Sequence, residues 1–533
     1  LTGFTVQYGY KYGQIATKMG IDKVRCWKVK DAGAIENRDI PQVSLGIHVE
    51  GACWPAPHPY DKMTLKSALA KRVLCSLPPV DRVLLKEFRD FVRSFCYKKF
   101  KPLQPDADVG FRSWLDKTSY PDWRKRQLEK AQDKCQGRMH QKYLKCKSFI
   151  KRERYKKFKP ARTINSRSDA FKGWSGPLFK LIESEVYKLD CFVKHIPVSK
   201  RMAYIRDIVK DRLAGYVETD HSRFEAHFTP AILRACELQV YRYFIRLLPN
   251  RAEYDYWITK ALSGVNILGF ESLRARVRGT RMSGDMCTSL GNGITNYLLM
   301  AFYAHKHQCV LKMVVEGDDG LASLRKEGRP HVPVADFFTR LGFEIKMVIH
   351  DDLESAGFCQ MYCSESGNVL VDPVKRILTV GWSFSNDRFA GPRVRAGLLR
   401  AKGLSLLVES PNCPVVRNLA LWILRVTRFV KARFENSTWE REKREALFQG
   451  VEPEECARTL ISEMKPITYL DRVAVETIFR VPVSQQCQLE KWFNSQCTVR
   501  PIPLKLVGDL VEADWLMSWS YVARSRNIPR DKD

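Results

Sequence analysis

The alternation of apolar and polar positions divides the chain into stretches of different period. Val314-Val315, then Glu316-Gly317-Asp318-Asp319-Gly320, then Leu321 predicts a β-hairpin with carboxylates at its tip. Tyr216-Val217-Glu218-Thr219-Asp220 predicts a short strand that delivers Asp220 at its end, with Glu225 five residues on. After the loop signal Ser283-Gly284, residues 285–303 are apolar at helical spacing and free of proline, which predicts a helix. On that helix Thr288 and Asn292 are four apart and share a face, while Met286, Leu290, Ile294 and Leu298 supply core contacts. Residues 230–250 predict an amphipathic helix ending near Leu248-Pro249-Asn250. Gly173-Trp174-Ser175-Gly176-Pro177 predicts a break before a helix over 178–189, and a loop is expected from Lys101-Pro102 to Gly110. The pattern turns helical from about Thr64, after the proline-rich run Trp54-Pro55-Ala56-Pro57-His58-Pro59. Beyond Val371, apolar stretches at 404–408 and 419–430 alternate with charged ones such as 439–444, which suits a helical C-terminal region. There is no internal repeat and no low-complexity tail.

Three of these segments carry chemistry in a telling order. Two-metal phosphoryl transfer needs carboxylates from separate chain segments, converging where ions about 3.5–4 Å apart clamp the attacking and leaving oxygens. Asp220 and Asp318 can supply that pair, with Asp319 beside them. Alone, Gly-Asp-Asp-Gly is an ordinary turn, and a Thr/Asn pair is a solvated face or a cap. The combination is more specific, because the Ser-Gly/Thr/Asn helix lies between the two acidic segments. Upstream, basic residues from Arg124 to Arg167 interleave with Tyr143, Phe149, Tyr155 and Phe158. Residues 124–142 have acidic neighbours and helical spacing and read as a solvated face. Lys151, Arg162 and Arg167 read as triphosphate and template contacts, since cationic side chains bind phosphate oxygens and guanidinium does so bidentately.

Composition sharpens the choice of partner. The 533 residues carry 89 Lys+Arg against 59 Asp+Glu, a net charge of +30 that favours a polyanion, nucleic acid first and anionic membrane second. Hydrophobic residues at 45% argue against wholesale disorder. No apolar run approaches the ~20 residues that span a bilayer, and no signal peptide is apparent. The chain opens on Leu1 rather than Met, as a proteolytic product, a readthrough portion or a trimmed chain would. Sixteen cysteines without a C-x2-C pair argue against a zinc ribbon and for buried, reduced thiols. Cys135, His140 and Cys146 could supply three zinc ligands, without an evident fourth.

The motifs resemble the RNA-dependent RNA polymerases of positive-strand RNA viruses, in the tombusvirus-like and flavivirus-like group. Residues 220–228 (Asp220-His221-Ser222-Arg223-Phe224-Glu225 onward) are similar to the first palm motif of that group, and residues 281–292 to the second. Residues 313–321 are similar to the third, Leu341-Gly342-Phe343-Glu344-Ile345-Lys346 to the fourth, and Gly357-Phe358-Cys359 falls where the primer-grip hairpin would be. Phe149-Ile150-Lys151 and residues 159–167 resemble the basic fingers motif that handles the incoming triphosphate. The resemblance spans about residues 145–365.

It implies an α+β right-hand polymerase with fingers, palm and thumb, an antiparallel palm sheet and a mostly helical thumb. The expected division is an N-terminal extension reaching from fingers to thumb (1–100), fingers (101–215), palm (216–229), a fingers insertion (230–280), palm (281–370) and thumb (371–533). Asp220, Asp318 and Asp319 would hold two Mg²⁺ ions, with Mn²⁺ as a substitute. Lys346 would protonate the leaving pyrophosphate, against the plainer reading of a solvated lysine at a strand end. Lys151, Arg162, Arg167, Glu225, Ser283, Thr288 and Asn292 would contact nucleotide and template. Glu225 departs from the family, which usually has Asp there to sense the ribose together with the Asn matched by Asn292. Implied partners are template and nascent RNA, NTPs and other viral replicase proteins, in host cytoplasm at membrane-associated replication complexes.

Two rivals are weaker. A reverse transcriptase usually carries Tyr-x-Asp-Asp in its third motif and a bulky gate after its first aspartate, unlike Glu316-Gly317-Asp318-Asp319 and the Glu225/Asn292 pair. A non-enzymatic RNA-binding scaffold would explain +30 but not the spaced carboxylates.

Overall fold

The computed structural model describes residues 24–28, 43–52, 62–73, 75–151, 153, 160–211, 213–221, 223–271, 273–383, 391–435 and 438–511. The sequence features at residues 54–59, Tyr155, Phe158, Lys159 and Ser222 lie outside the described residues. In chain order the strands used below are β1 (Val24–Lys28), β2 (Val43–Ser44), β3 (Cys146–Ile150), β4 (Thr163–Arg167), β5 (Gly215–His221), β6 (Val265–Gly269), β7 (Leu273–Arg278), β8 (Val310–Glu316), β9 (Asp319–Lys326), β10 (Arg329–Pro330) and β11 (Ile345–His350).

Ten of these strands build two sheets in a mixed α/β fold. One has the order β1-β7-β6-β3-β4, antiparallel except for the parallel pair of β3 with β6. The other has the order β10-β9-β5-β11, with β8 also on β9, and is antiparallel throughout. The first sheet joins β3 and β4 to β6 and β7, about a hundred residues apart in the chain, with β5 of the second sheet between them in sequence.

The middle of the second sheet is buried on both faces, so β9 and the end of β8 nearest the turn read as apolar runs, whereas the edge strand β11 has no buried residue. Val314 and Leu321 face a core shared with the C-terminal helices, while Met313, Val315, Ala322 and Leu324 face a core shared with helices before and after β5. The expected helical C-terminal region is present among the described residues, in Pro392–Glu409, Val416–Val426, Thr438–Phe448, Pro453–Ser462, Tyr469–Phe479 and Val483–Ser495. The described N-terminal strands pair with both the first sheet and the C-terminal part of the chain. β1 extends the first sheet on β7; β2 pairs with Trp382–Ser383, and Glu50 N–H donates to the Ile502 carbonyl at 2.9 Å.

Three sequence expectations need correction. The helix Asp169–Val186 runs straight through residues 173–177 with Pro177 inside it. A Cβ on Gly173 would stand 2.1 Å from Gln132 Nε2, and one on Gly176 2.7 Å from the Trp114 ring. These glycines therefore serve close helix packing, not a break. Residues 230–250 form two helices, Pro230–Ala235 and Glu237–Ile245, separated at Cys236 with φ −113° and ψ −88°. The zinc trio does not assemble. Cys135 Sγ bonds within its own helix to Gln132, His140 Nδ1 accepts from the Lys142 amide, and Cys146 sits in the core of the first sheet. From Cys75 onward every cysteine is a free thiol.

Candidate active site

The acidic tip forms as its sequence dictates. β8 and β9 pair from Val310↔Arg325 to Glu316↔Asp319, leaving a two-residue turn of Gly317 and Asp318. Gly317 takes φ +63°, where a side chain would be strained, as tight hairpins with a leading glycine require. On the other side of β9, β5 pairs up to Thr219↔Gly320, so the next residue, Asp220, emerges beside Asp319. β11 lies across β5 with Lys346 directly opposite Asp220, exposed at the strand's start. The four residues Asp220, Asp318, Asp319 and Lys346 are thus brought together at one end of one sheet.

A cleft of about 1390 Å³ opens at this end, lined by Asp318, Asp319, Glu225 and Glu316 together with Lys151, Arg162, Ser283, Thr288 and Asn292, while Asp220 and Lys346 stand beside it rather than in its lining. Its carboxylates repel one another. Asp318 is pushed up to about 6, first by desolvation and then by Glu225 and Asp319. Asp319 is raised for the same first reason, with Asp220 and Glu316 adding to it. Arg162 relieves both only in part. Among the described residues no three His, Cys, Asp or Glu side chains are gathered into a metal cage. The donor set nevertheless fits hard divalent cations, which take oxygen ligands and would remove this repulsion.

The tip is tied to the helix Thr288–His307. Asn296 Nδ2 donates to the Asp318 carbonyl at 3.1 Å, and Asn296 Oδ1 meets His221 Nε2 at 3.1 Å. Burial pulls His221 down to about 4, so it stays neutral and its Nε2–H donates to that oxygen. Ahead of the helix, Ser283 Oγ donates to the Thr163 carbonyl at 2.9 Å and Gly284 N–H to the Asn165 carbonyl at 3.2 Å, pinning this loop to β4. Thr288 Oγ1 lies 2.9 Å from the Asp285 carbonyl and 3.1 Å from that of Met282. Asn292 Oδ1 accepts from Arg281 Nε at 3.0 Å, and Glu225 is 3.6 Å from Arg72 Nη1.

The basic residues have divergent fates. Arg162 makes a two-pronged bond to Glu153, 2.6 Å at each oxygen, and Lys151 Nζ is 3.1 Å from the same carboxylate. Both cations line the cleft with 40% and 37% of their side chains exposed, so an incoming anion can compete for them. Arg167 does not belong with them. Its side chain is 2% exposed; Nε lies 2.9 and 3.1 Å from the Asp285 oxygens, and Nη1 and Nη2 each donate at 2.7 Å to the carbonyls of Leu144 and Ala261. On alternating β4, Arg167 falls on the inward side, and with every nitrogen engaged it cannot serve a nucleotide.

Sequence reasoning missed Glu153, Asn296, Glu237 and the side chain of Arg281. Glu237 had a usable signal, a lone acid among Leu233, Leu238, Val240 and Tyr241 in an apolar helical pattern, which demands a buried cationic partner. Arg281 is that partner, 44 residues away.

Residues 184–378 match the family described as viral RNA dependent RNA polymerase. The chain is 28% identical over 236 residues to the RNA-directed RNA polymerase of Tobacco necrosis virus (strain A), covering 40% of this chain and 32% of that protein. It is 28% identical over 233 residues to that of Groundnut rosette virus (strain MC1), covering 40% and 27%, and 31% identical over 149 residues to that of Pothos latent virus (isolate Pigeonpea/India), covering 28% and 20%. The chain thus spans about a third or less of the length of these relatives. The matched stretch contains every segment from Asp220 to Lys346, whereas Lys151 and Arg162 lie ahead of it.

Proposed function

We infer that this chain, whose residues 184–378 belong to the viral RNA-dependent RNA polymerase family, joins NTPs to an RNA 3′-hydroxyl under the direction of an RNA template, and so copies a positive-strand genome. The observation that carries the reading is the convergence of Asp220, Asp318 and Asp319 at one sheet end, with Asp318 and Asp319 lining a cleft that Lys151 and Arg162 also line.

Asp220, Asp318 and Asp319 would hold two divalent cations, read as Mg²⁺ with Mn²⁺ as a substitute, which would activate the 3′-hydroxyl and neutralise charge on the pyrophosphate. Arg162 and Lys151 leave Glu153 and take the triphosphate oxygens. Lys346, opposite Asp220, gives its proton to the departing pyrophosphate. Ser283 and Thr288, whose hydroxyl protons are engaged by carbonyls, offer lone pairs to template and ribose, and Glu225 and Asn292 read the 2′-hydroxyl.

RNA would reach this site over the open face of the first sheet. By register, Arg274, Arg276 and Arg278 of β7, Lys147 and Phe149 of β3, and Ile164 and Ser166 of β4 share that face. The arginines and Lys147 are exposed, Phe149 is 48% exposed, and Phe149, Ile164 and Ser166 already line the cleft. Cations with an aromatic between them suit a single strand. The right-hand division fits this layout. Fingers comprise 101–215 with the insertion 230–280, palm 216–229 and 281–370, thumb 371–533, and the N-terminal extension bridges fingers and thumb. The protein would act in host cytoplasm, with other replicase proteins at membranes. Among the described residues no helix is long and apolar enough to cross a bilayer.

The test is a gel of products from purified protein, an RNA template and four NTPs, with and without primer and with dNTPs as competitors. Template-length RNA that dNTPs fail to displace is expected. Absence of any polymer contradicts the reading, and DNA product would favour a reverse transcriptase.

A further inference from the structure

Among the described residues, the deepest ion pair stands directly behind the pocket assigned to the sugar. Arg281 and Glu237 have no exposed side-chain surface. Nη1 of Arg281 donates to Glu237 Oε1 at 2.9 Å and Nη2 to Oε2, while the Tyr241 hydroxyl donates to the same Oε1 at 2.5 Å. The guanidinium also lies 4.2 Å over the Phe228 ring. A Cβ on Gly291 would stand 2.3 Å from Glu237 Oε1 and 2.6 Å from Arg281 Nη2, so that helix position must remain bare for the pair to exist.

Nη1 also reaches Cys287 Sγ at 3.9 Å, and Nε points at Asn292. Arginine has donors and no acceptor. Whatever turns toward it must be the amide oxygen, which leaves the Asn292 N–H₂ facing the cleft. The backbone N–H of Arg281 meanwhile donates to the Glu225 carbonyl at 2.9 Å. One residue therefore braces both members of the pair, Asn292 through its side chain and Glu225 through its backbone.

We infer that Arg281, clamped by Glu237 and Tyr241, is a positioning residue that sets the hydrogen-bond polarity of the sugar pocket: Asn292 is held as donor and Glu225 as acceptor, the combination that a hydroxyl group satisfies at both ends. This rests on the polymerase reading above and goes further, since it assigns ribose selectivity to a buried pair that does not itself touch the sugar. It also accounts for Glu225, because any carboxylate that reaches the hydroxyl supplies the acceptor, and the donor is what must be fixed.

The test measures kcat and KM for single incorporation of GTP and dGTP by Arg281→Lys, Asn292→Asp and Tyr241→Phe, each checked for folding by thermal melting. Lysine keeps the charge but cannot fork to both Glu237 oxygens and still serve Asn292. Aspartate keeps an acceptor for Arg281 and loses the N–H. Both should lower GTP-over-dGTP selectivity by about tenfold or more, through a rise in the KM for GTP that dGTP does not share to the same extent, as expected for one lost hydrogen bond to the hydroxyl. Tyr241→Phe should lose about two- to threefold. A purely structural role would depress both nucleotides together, and that result, or unchanged selectivity in folded Asn292→Asp, overturns the inference while leaving the polymerase reading intact. A wild-type protein that joins no nucleotide at all overturns both.

Discussion

Two charged clusters in this molecule have opposite accounts. The buried pairs Arg281–Glu237 and Arg167–Asp285 have almost no exposed surface, and their cations have every nitrogen engaged. The hairpin tip is less balanced: Glu316 is 3.0 Å from Arg201 and Glu225 3.6 Å from Arg72, but Asp318 and Asp319 crowd against these acids and Asp220 and open onto a cleft. Balanced charge deep in the protein is architecture, because removing one partner strands the other. Surplus charge of one sign at a cavity marks a place where a ligand of the other sign completes the structure. The same contrast runs along β4 and its approach: Arg162 stands at the cleft and Arg167, five residues on, is sealed inside.

The largest effect should come from the unbalanced cluster. Asp220→Ala or Asp318→Ala should slow nucleotide addition about a thousandfold or more, since several kcal/mol of transition-state stabilisation is lost at about 1.36 kcal/mol per tenfold. Melting temperature and RNA binding should barely move. More than a few per cent of residual activity in both variants would contradict a metal-holding role for these carboxylates.

The two arginines sharpen it next. Arg167→Gln strands Asp285, whose carboxyl burial already holds above the usual carboxylate range despite Arg167. It should cost about 3–5 kcal/mol of stability, seen as a clear drop in denaturant midpoint. Arg162→Gln should leave that midpoint alone and raise the KM for NTPs about tenfold. Interchanged phenotypes would reverse the assignment of the two side chains.

A smaller effect concerns the sheet face. Replacing Arg274, Arg276 and Arg278 by Gln should reduce the slope of log affinity against log salt for single-stranded RNA by about 2, from about 0.7 per phosphate contact. The same change at Arg126, Lys130 and Lys134, on the exposed side of the helix Asp122–Cys135, should leave the slope nearly unchanged. Equal losses would mean that only net charge matters.

The smallest is a pH effect. Asp318 titrates near 6 when folded, against 3.8 for the free group. The folded state therefore binds the proton more tightly than the unfolded chain. Stability from this site should be greatest below pH 4, fall as pH rises toward 6 and level off above it. The metal-free wild type should lose on the order of a degree or two in Tm across that window relative to Asp318→Asn, and a divalent cation should abolish the difference. A parallel pair of curves would show that the carboxylates do not crowd.

These contrasts explain what could be read from the chain alone. The tip was legible because its cause is local: two apolar runs, a glycine able to take φ +63° and carboxylates between them. Asp220 was legible as a strand end, and the helix over 288–307 by its period. The division between Arg162 and Arg167 was not, because it depends on Asp285, 118 residues from Arg167. The continuous helix through Pro177 was hidden for the same reason, since Trp114 and Gln132 decide what Gly176 and Gly173 are for. Local chemistry located the cluster that meets substrate; long-range pairing chose which charges were retired into the interior.

The most direct test of the central claim is to change a single templating base and record which of the four NTPs purified protein adds to a primed RNA end. The account predicts that the complementary NTP is added in every case by the wild type and that Asp318→Asn, folded to the same Tm, adds none. Addition that ignores the templating base, or that persists in Asp318→Asn, would contradict it.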